Sequence, residues 1–439
     1  MNKIKPQIPK GFRDVLPSQK VIYQQVVDTI RNTFEVFGFE PLETPALEYA
    51  SILEGKYGEE GEKLIYKFKD RGGRQVALRY DLTIPLSRVV AMYPALPKPL
   101  KCYHIAPVWR ADKPQKGRFR EFWQCDADIV GSESMLADAE VITTIYHVLK
   151  SLHFKQFTIR INNRKLLNGI AKASGIEEAT IPSLLRILDK LEQKGMQGIK
   201  DEMFEKGFKE ENIKAILELF SISDGNKIEL LTIKKSFGDS PLVLEGIGEL
   251  EEIFSHLSSM GVDPQFYCFD FSLARGLDYY TGPIFETTVD EPQIGSITGG
   301  GRYDTLIGMF SNTDFPATGS SFGLERIITV MEELNITPSL STITDSLVTV
   351  FSPEMQKDSL QIATELRSAG IKTEVYFKHD KLKKQLAYAS NKGIPFTIIM
   401  GPDEQKDNNV TLRNMVKGNQ KSVSRDELVY TIKNDLGEI

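Results

Sequence analysis

Residues 101–131, KCYHIAPVWRADKPQKGRFREFWQCDADIVG, constrain the fold more than any other stretch. They begin apolar, pass into a loop bearing Arg110, Lys113, Lys116, Arg118 and Arg120, and return as an alternating run. That pattern predicts two antiparallel strands joined by a long basic loop. Pro114 and Gly117 keep the loop tip from becoming helix. On the return strand, Arg120 to Ile129, side chains alternate between two faces. Phe122, Gln124, Asp126 and Asp128 share one; Glu121, Trp123, Cys125 and Ala127 share the other. A face with a ring, an amide and two acids, beside a cationic loop, suits a polyanion with a flat base and a small cationic partner. The same charges also suit a solvated hairpin, since charge runs are commonly solvent faces.

A chain of 439 residues exceeds one ordinary core, so two or three domains are expected. At 41% apolar and 26% charged it has the balance of a soluble globular protein. Cys102, Cys125 and Cys268 have neither disulfide nor metal-ligand spacing, which points to a reducing compartment. No apolar run is long enough for a membrane span, and MNKIKPQIPKGFRDVLP lacks the apolar core of a signal peptide. A cytoplasmic protein is expected. With a net charge of −6, a nucleic-acid partner has to meet local basic patches.

Pro and Gly punctuate residues 9–17, PKGFRDVLP, as an ordered arm. From about Gln19, Ile22, Val26, Ile30, Phe34 and Phe37 recur at helical spacing, and Gly38 stops the run. FEPLETPALEY follows, extended, with Pro41 and Pro45; helix and strand together fit either core or a dimer seam. KLIYKFK (63–69) and QVALRY (75–80) read as a hairpin around Asp70–Gly73. Asp81 and Thr83 then open a helical pattern, where an N-cap is the simplest role for Asp81. A helix over 132–152 and a strand over 156–162 come next. From Glu177 to Ser240, short Lys/Glu-rich helical pieces suggest an insertion with its own small core. Arg275, Asp278, Tyr279 and Tyr280 lie between two alternating runs. Gly299, Gly300 and Gly301 stand inside a strand, where glycines weaken a sheet and often mark close approach of backbone or ligand. GSSFGLERIITVMEEL reads as strand, Gly, helix. Arg326 in its first turns opposes the helix dipole, so an anion is expected nearby. ITPSLSTITD (336–345) has no period and reads as a linker. Beyond it, strands and helices alternate, predicting a small α/β domain with a mostly parallel sheet.

In chain order, PKGFRDVLP, the Pro45 segment, YHIAPVWRADKPQKGRFREFWQCD, LARGLDYYTGPIFE, TGGGRYDTLIG and SFGLERI resemble the signatures of the histidyl-tRNA synthetases, a class II aminoacyl-tRNA synthetase family. The Pro45 segment, the YHIA run and SFGLERI are similar to class II motifs 1, 2 and 3; the other two long runs resemble the histidine-specific signatures. The resemblance implies an α+β catalytic domain, an antiparallel sheet flanked by helices, over 1–170 and 241–335. It implies a helical insertion over 171–240 and a C-terminal α/β anticodon-binding domain over 346–439. It also implies a homodimer through motif 1 and two substrates, L-histidine and ATP, with Mg²⁺ bridging phosphate oxygens and tRNA(His) as the acceptor.

Residue by residue, the same resemblance implies that Arg110 holds the α-phosphate and Arg275 acts from the other side as a catalytic cation, both meeting histidine and ATP between them. Phe122 stacks on adenine, with Arg326 on its other face or near the γ-phosphate; Asp112 and Arg118 complete the ATP site. The family usually has Glu where Asp112 stands. Asp81, Thr83 and Gln124 match positions that hold the α-amino group, and Asp128 and Tyr280 those that bracket the imidazole. Tyr279 lies beside them, in contact or as sheet packing. Two rival readings share the fold: the synthetase-like regulatory subunit of ATP phosphoribosyltransferase, and a non-catalytic histidine- or tRNA-sensing module. In the last domain Asn408, Asn409 and Arg413 are candidate tRNA contacts by polarity.

Overall fold

The computed structural model describes residues 4–57, 61–221, 230–274, 279–338 and 341–437. The chain divides into two compact units. One holds the chain up to Arg13 together with Val26–Thr337; the other holds Asp14–Gln25 and the chain from Pro338 onward.

The strands of the first unit are β1 (Glu40–Pro41), β2 (Leu47–Tyr49), β3 (Lys67–Lys69), β4 (Gln75–Leu78), β5 (Leu100–Trp109), β6 (Glu121–Val130), β7 (Thr158–Asn163), β8 (Tyr267–Phe269), β9 (Pro283–Thr288), β10 (Thr298–Arg302) and β11 (Ala317–Gly323). Eight of them form one sheet in the order β1-β5-β6-β11-β10-β9-β7-β8. Its centre is antiparallel, and the edge pairs β1–β5 and β7–β8 run parallel. β5 and β6 pair from Leu100–Val130 to Trp109–Glu121. A slip of one residue would drive Asp126 and Asp128 into the apolar layer on the other face, so the alternation fixes the register. On that other face Cys125, Ala127 and Ile129 are buried. There Phe322 of β11 meets Phe34, with ring centroids 5.5 Å apart. Burying side chains of this kind stabilises by about 1.5–3 kcal/mol each. Phe34 belongs to α1 (Pro17–Val36), which starts two residues ahead of Gln19 because Pro17 suits a first helical turn.

α2 (Thr83–Met92) leaves the small sheet β2-β4-β3. KLIYKFK predicts a strand over 63–69, but only Lys67–Lys69 pairs. The Leu64 carbonyl accepts from Ala111 N instead, which draws the first half of the run out of the ladder. α3 (Met135–Ser151) is capped by Ser134, whose side chain accepts from Leu136 N. After α4 (Arg164–Ala173) come α5 (Ile181–Leu188), α6 (Leu191–Glu205), α7 (Glu210–Ser221) and α8 (Leu230–Phe237). Leu184, Leu188, Ile199, Met203, Ile213 and Ile233 are buried there. α9 (Pro241–Ser259) returns to pack on α3 and α4. α10 (Leu324–Glu333) follows directly on β11.

The second unit contains β12 (Ser346–Val348), α11 (Gln356–Ser368), β13 (Thr373–Val375), α12 (Leu382–Lys392), β14 (Phe396–Ile399), β15 (Asn409–Asn414), β16 (Gln420–Ser424) and α13 (Leu428–Leu436). Its sheet has the order β13-β12-β14-β15-β16. The expected mostly parallel sheet is corrected here: β12 is parallel to β13 and β14, but β14–β15 and β15–β16 are antiparallel. The hairpin carries few apolar side chains, with Val410, Leu412 and Val423 turned inward. Among the described residues, no helix is long and apolar enough to cross a membrane.

Candidate active site

A cavity of about 300 Å³ lies over the antiparallel centre of the large sheet. Asp81, Thr83, Arg110, Asp112, Arg118, Phe122, Gln124, Asp128, Tyr279, Tyr280 and Arg326 all line it. Residues 275–278, which include Arg275 and Asp278, lie outside the described residues.

Rows of opposed residues cross the strands beneath the cavity. One row runs His104, Asp126, Ser321, Gly299, Glu286, Arg160, each directly opposite the next. The glycine triplet divides by role. A Cβ on Gly300 would stand 2.2 Å from the Gly319 carbonyl oxygen and 2.5 Å from the Phe285 ring, so strand packing demands glycine there. At Gly299 nothing lies within 4 Å of that position, and bare backbone faces the cavity.

One end of the cavity is acidic. Asp81 Oδ1 accepts from Ile84 N at 3.1 Å, as a capping carboxylate does, and also from the Tyr57 hydroxyl at 3.0 Å. Its Oδ2 is buried without a partner among the described residues. Burial pushes the Asp81 carboxyl up to about 6, held back by the Ile84 N–H, by Arg110 and by Tyr57. Gln124 Nε2 donates to Ser321 Oγ at 2.5 Å, and its Oε1 is likewise unpartnered. Asp128 Oδ1 accepts from the Tyr303 hydroxyl at 2.5 Å. That oxygen occupies the space a Cβ on Gly319 would take, 1.9 Å away. Burial raises both Asp126 and Asp128, and their nearness adds to the rise at Asp126. Tyr279 is 7% exposed and packs edge-on against Tyr280 and Tyr303, with centroids 5.0 and 6.0 Å away. It packs against these two rings and lines the cavity at once.

The other end is cationic and aromatic. Arg110 lies over the Tyr80 ring at 4.3 Å and near Phe122 at 5.1 Å. Its Nε donates to the Tyr80 carbonyl at 3.0 Å, and among the described residues the two terminal nitrogens are left for a ligand. Arg326 donates to the Ser296 carbonyl at 2.7 Å. Arg118 pairs with Asp112. The N-terminal arm ties the hairpin down. Arg120 N donates to Gly11 O at 2.9 Å, and Arg13 stacks 3.8 Å over Phe119 while pairing with Glu325 at 3.3 Å. Glu325 also accepts from Trp123 N at 3.0 Å, and burial pushes its carboxyl up to about 7.

Tyr57, Tyr303, Ser321 and Glu325 escape the sequence reading. Tyr303 and Glu325 stand inside TGGGRYDTLIG and SFGLERI, so the signatures flagged them without giving a role. Among the described residues no three His, Cys, Asp or Glu side chains form a metal cluster. The carboxylates at the cationic end, Asp112 and Glu325, already meet Arg118, Arg13 and Trp123 N, so a Mg²⁺ would fit here chiefly through the phosphate oxygens of its ligand.

An antiparallel sheet flanked by helices, a basic hairpin over the cavity and a second unit with its own mixed sheet define the fold of a class II aminoacyl-tRNA synthetase. A family model described as histidyl-tRNA synthetase matches residues 11–327, and one described as anticodon binding domain matches residues 345–435. The chain belongs to the histidyl-tRNA synthetase family. The histidine–tRNA ligase of Cytophaga hutchinsonii is 41% identical over 452 residues, covering 98% of this chain and 99% of its own. That of Wolinella succinogenes is 42% identical, covering 95% and 96%. The crystal structure of histidyl-tRNA synthetase from Nostoc sp. PCC 7120 superposes with a TM-score of 0.87 at 32% identity, over 99% of this chain and 100% of that one.

Proposed function

We propose that the chain is a histidine–tRNA ligase, which activates L-histidine with ATP and transfers it to the 3′ end of tRNA(His). The observation that carries this is the polarity of one cavity: Arg110, Phe122 and Arg326 at one end, Asp81, Asp126 and Asp128 at the other. In the first step a histidine carboxylate oxygen attacks the α-phosphorus, the bond to the β-phosphate oxygen breaks, and pyrophosphate leaves. In the second, a hydroxyl of the terminal adenosine takes the histidyl group and AMP leaves.

The nucleophile belongs to the substrate, so the protein's task is alignment and charge stabilisation. Arg110 meets the α-phosphate with its two terminal nitrogens; its guanidinium carbon lies over the Tyr80 ring and near that of Phe122. Arg275 is the second catalytic cation that the resemblance implies. Arginine suits both positions because it stays charged and offers a planar fork of donors. Phe122 takes the adenine face and Arg326, Asp112 and Arg118 the remainder of ATP, and a Mg²⁺ held with ATP beside Glu325 would supply further neutralisation of phosphate charge. Asp81 Oδ2 and Gln124 Oε1, buried acceptors without another partner among the described residues, and Thr83 lie where an α-ammonium would be held. Asp128 and Tyr280 address the two imidazole nitrogens. A ligand lacking the ring leaves these groups unpaired, so rejection by roughly 10⁴-fold follows without an editing site.

The tRNA reading is supported in the second unit by the carboxyl edge of its parallel strands. Phe351 is 49% and Phe377 85% exposed there, the latter beside Lys378, Lys381 and Lys383. Rings flanked by cations suit stacked bases and phosphates. Asn408 and Asn409 open β15 at the same edge, whereas Arg413 lies farther along it. A homodimer is supported by the small sheet, where Leu47, Tyr49 and Phe68 share one face at 46%, 54% and 46% exposure. A cytoplasmic enzyme completes the reading.

Neither the regulatory-subunit nor the sensing reading needs free guanidinium nitrogens aimed where a phosphate would lie. ATP–pyrophosphate exchange is the test. Exchange that requires histidine is expected; exchange that is absent, or that other amino acids support equally, overturns the proposal.

A further inference from the structure

We propose that Asp126 is a further contact for the cationic end of the amino-acid substrate, and that His104, through one buried water, is the residue that positions it. This rests on the histidine-activating reading above.

His104 on β5 stands directly opposite Asp126 on β6. Opposed residues share a face, with Cβ atoms about 4.5–5.5 Å apart. His104 is 4% exposed and Asp126 2%. Both ring nitrogens of His104 and Oδ1 of Asp126 lack a hydrogen-bond partner among the described residues. Buried polar groups are nearly always satisfied, by protein or by ordered water. Two unsatisfied groups facing each other across one strand pair supply the two polar partners a bridging water needs.

The charges around the pair set its direction. Buried Arg79 donates to the Pro107 and Thr44 carbonyls at 2.9 and 2.7 Å. Burial, with the Arg79 charge behind it, lowers His104 to about 4, so its imidazole is neutral near pH 7. A neutral ring has one N–H to give. It donates to the water, and the water donates to Asp126 Oδ1. On its other side Asp126 meets Ser321, and beyond Ser321 the row opens at Gly299.

Asp126 lines the cavity with Gln124 and Asp128, two positions away on either side. A second acid on the same buried strand face is unfavourable in the empty protein, since burial and the Asp128 charge both oppose its ionisation. A cationic ligand offsets that. His104 does not line the cavity, so its effect on the substrate passes through Asp126.

Histidine-dependent pyrophosphate exchange by the full chain tests the pair, with KM for histidine and for ATP measured separately. Asp126→Asn is expected to raise the histidine KM by about 10- to 100-fold, the range of a charge-assisted hydrogen bond, and to leave the ATP KM within about twofold. His104→Leu is expected to move the histidine KM the same way, His104→Gln to recover most of the loss, and the double variant to be no worse than Asp126→Asn alone. Such non-additivity is the signature of one residue acting through another. A wild-type histidine KM in Asp126→Asn, or a His104 effect that multiplies onto Asp126→Asn, overturns the inference. Where His104→Leu fails to fold, His104→Phe supplies the same cycle. Wild-type exchange that ignores histidine refutes the functional reading itself; exchange that needs histidine while Asp126→Asn is silent refutes only the pair.

Discussion

Tyr303→Phe removes one hydroxyl from the floor of the cavity and keeps the ring. That hydroxyl donates to Asp128 Oδ1 at 2.5 Å, and both residues are buried. A hydrogen bond to a charged group is worth about 1.5–3 kcal/mol. In the folded protein this one favours the carboxylate over the acid, against the burial that raises Asp128 to about 7. Without it the Asp128 value climbs further, and more of the enzyme is protonated at neutral pH. A protonated Asp128 loses the charge-assisted bond to an imidazole N–H. The expected rise in the histidine KM is therefore about 10- to 100-fold at pH 7. It should shrink toward pH 9 as the carboxylate is recovered, while the ATP KM stays within about twofold. The assay is histidine-dependent pyrophosphate exchange from pH 6 to 9, with a melting curve at each pH to confirm folding. An unchanged histidine KM, or a rise equal at every pH and shared by ATP, would refute the tuning of Asp128 by Tyr303.

Arg275→Ala should depress adenylate formation by about 10²–10³-fold while histidine and ATP still bind, because a preorganised cation acts mainly on the transition state; near-normal exchange would make Arg275 structural. A chain ending near residue 340 should keep pyrophosphate exchange and lose most tRNA charging, read as a large rise in the tRNA KM; normal charging would remove the second unit from tRNA binding. Stability should depend on pH with a definite sign. Asp81 at about 6 and Glu325 at about 7 both titrate above their ordinary values. Their contribution is complete below the ordinary carboxylate range and is lost as pH rises through these values. The melting temperature of the ligand-free protein should fall between pH 5 and 8, and the stabilisation by added histidine should be larger at pH 8; a flat profile contradicts the burial of these acids.

The large sheet was legible because its defining signal is local. An apolar run and an alternating return run flank a loop rich in Pro, Gly and cations, and the two pair as ten-residue antiparallel strands. The β15–β16 hairpin was not legible, because its strands hold mainly Asn, Lys, Ser and Gln and only three inward apolar residues. The same contrast divides the site. Phe122, Gln124, Asp126 and Asp128 announce themselves by period two on one strand. Tyr303 reaches Asp128 across 175 positions, Ser321 reaches Gln124 across 197, and Glu325 reaches Trp123 across 202. Such pairings exist only once the strands are side by side. Asp81 shows a local reading that was true but partial: one oxygen serves the helix start, and the other is left for the cavity.

Gly319 has a consequence for how this specificity is inherited. It sits directly across from Asp128, whose carboxylate fills the place of the missing side chain. On the proposed reading, the place of the carboxylate that recognises the amino acid therefore depends on two separately encoded residues. A mutation at position 319 to any larger residue displaces the carboxylate while leaving every recognised signature residue intact. A lineage drifting toward another amino acid would have to alter both positions together, and a change in either alone yields a poor enzyme before it yields a different one. Such coupling narrows the paths by which a histidine codon comes to be misread.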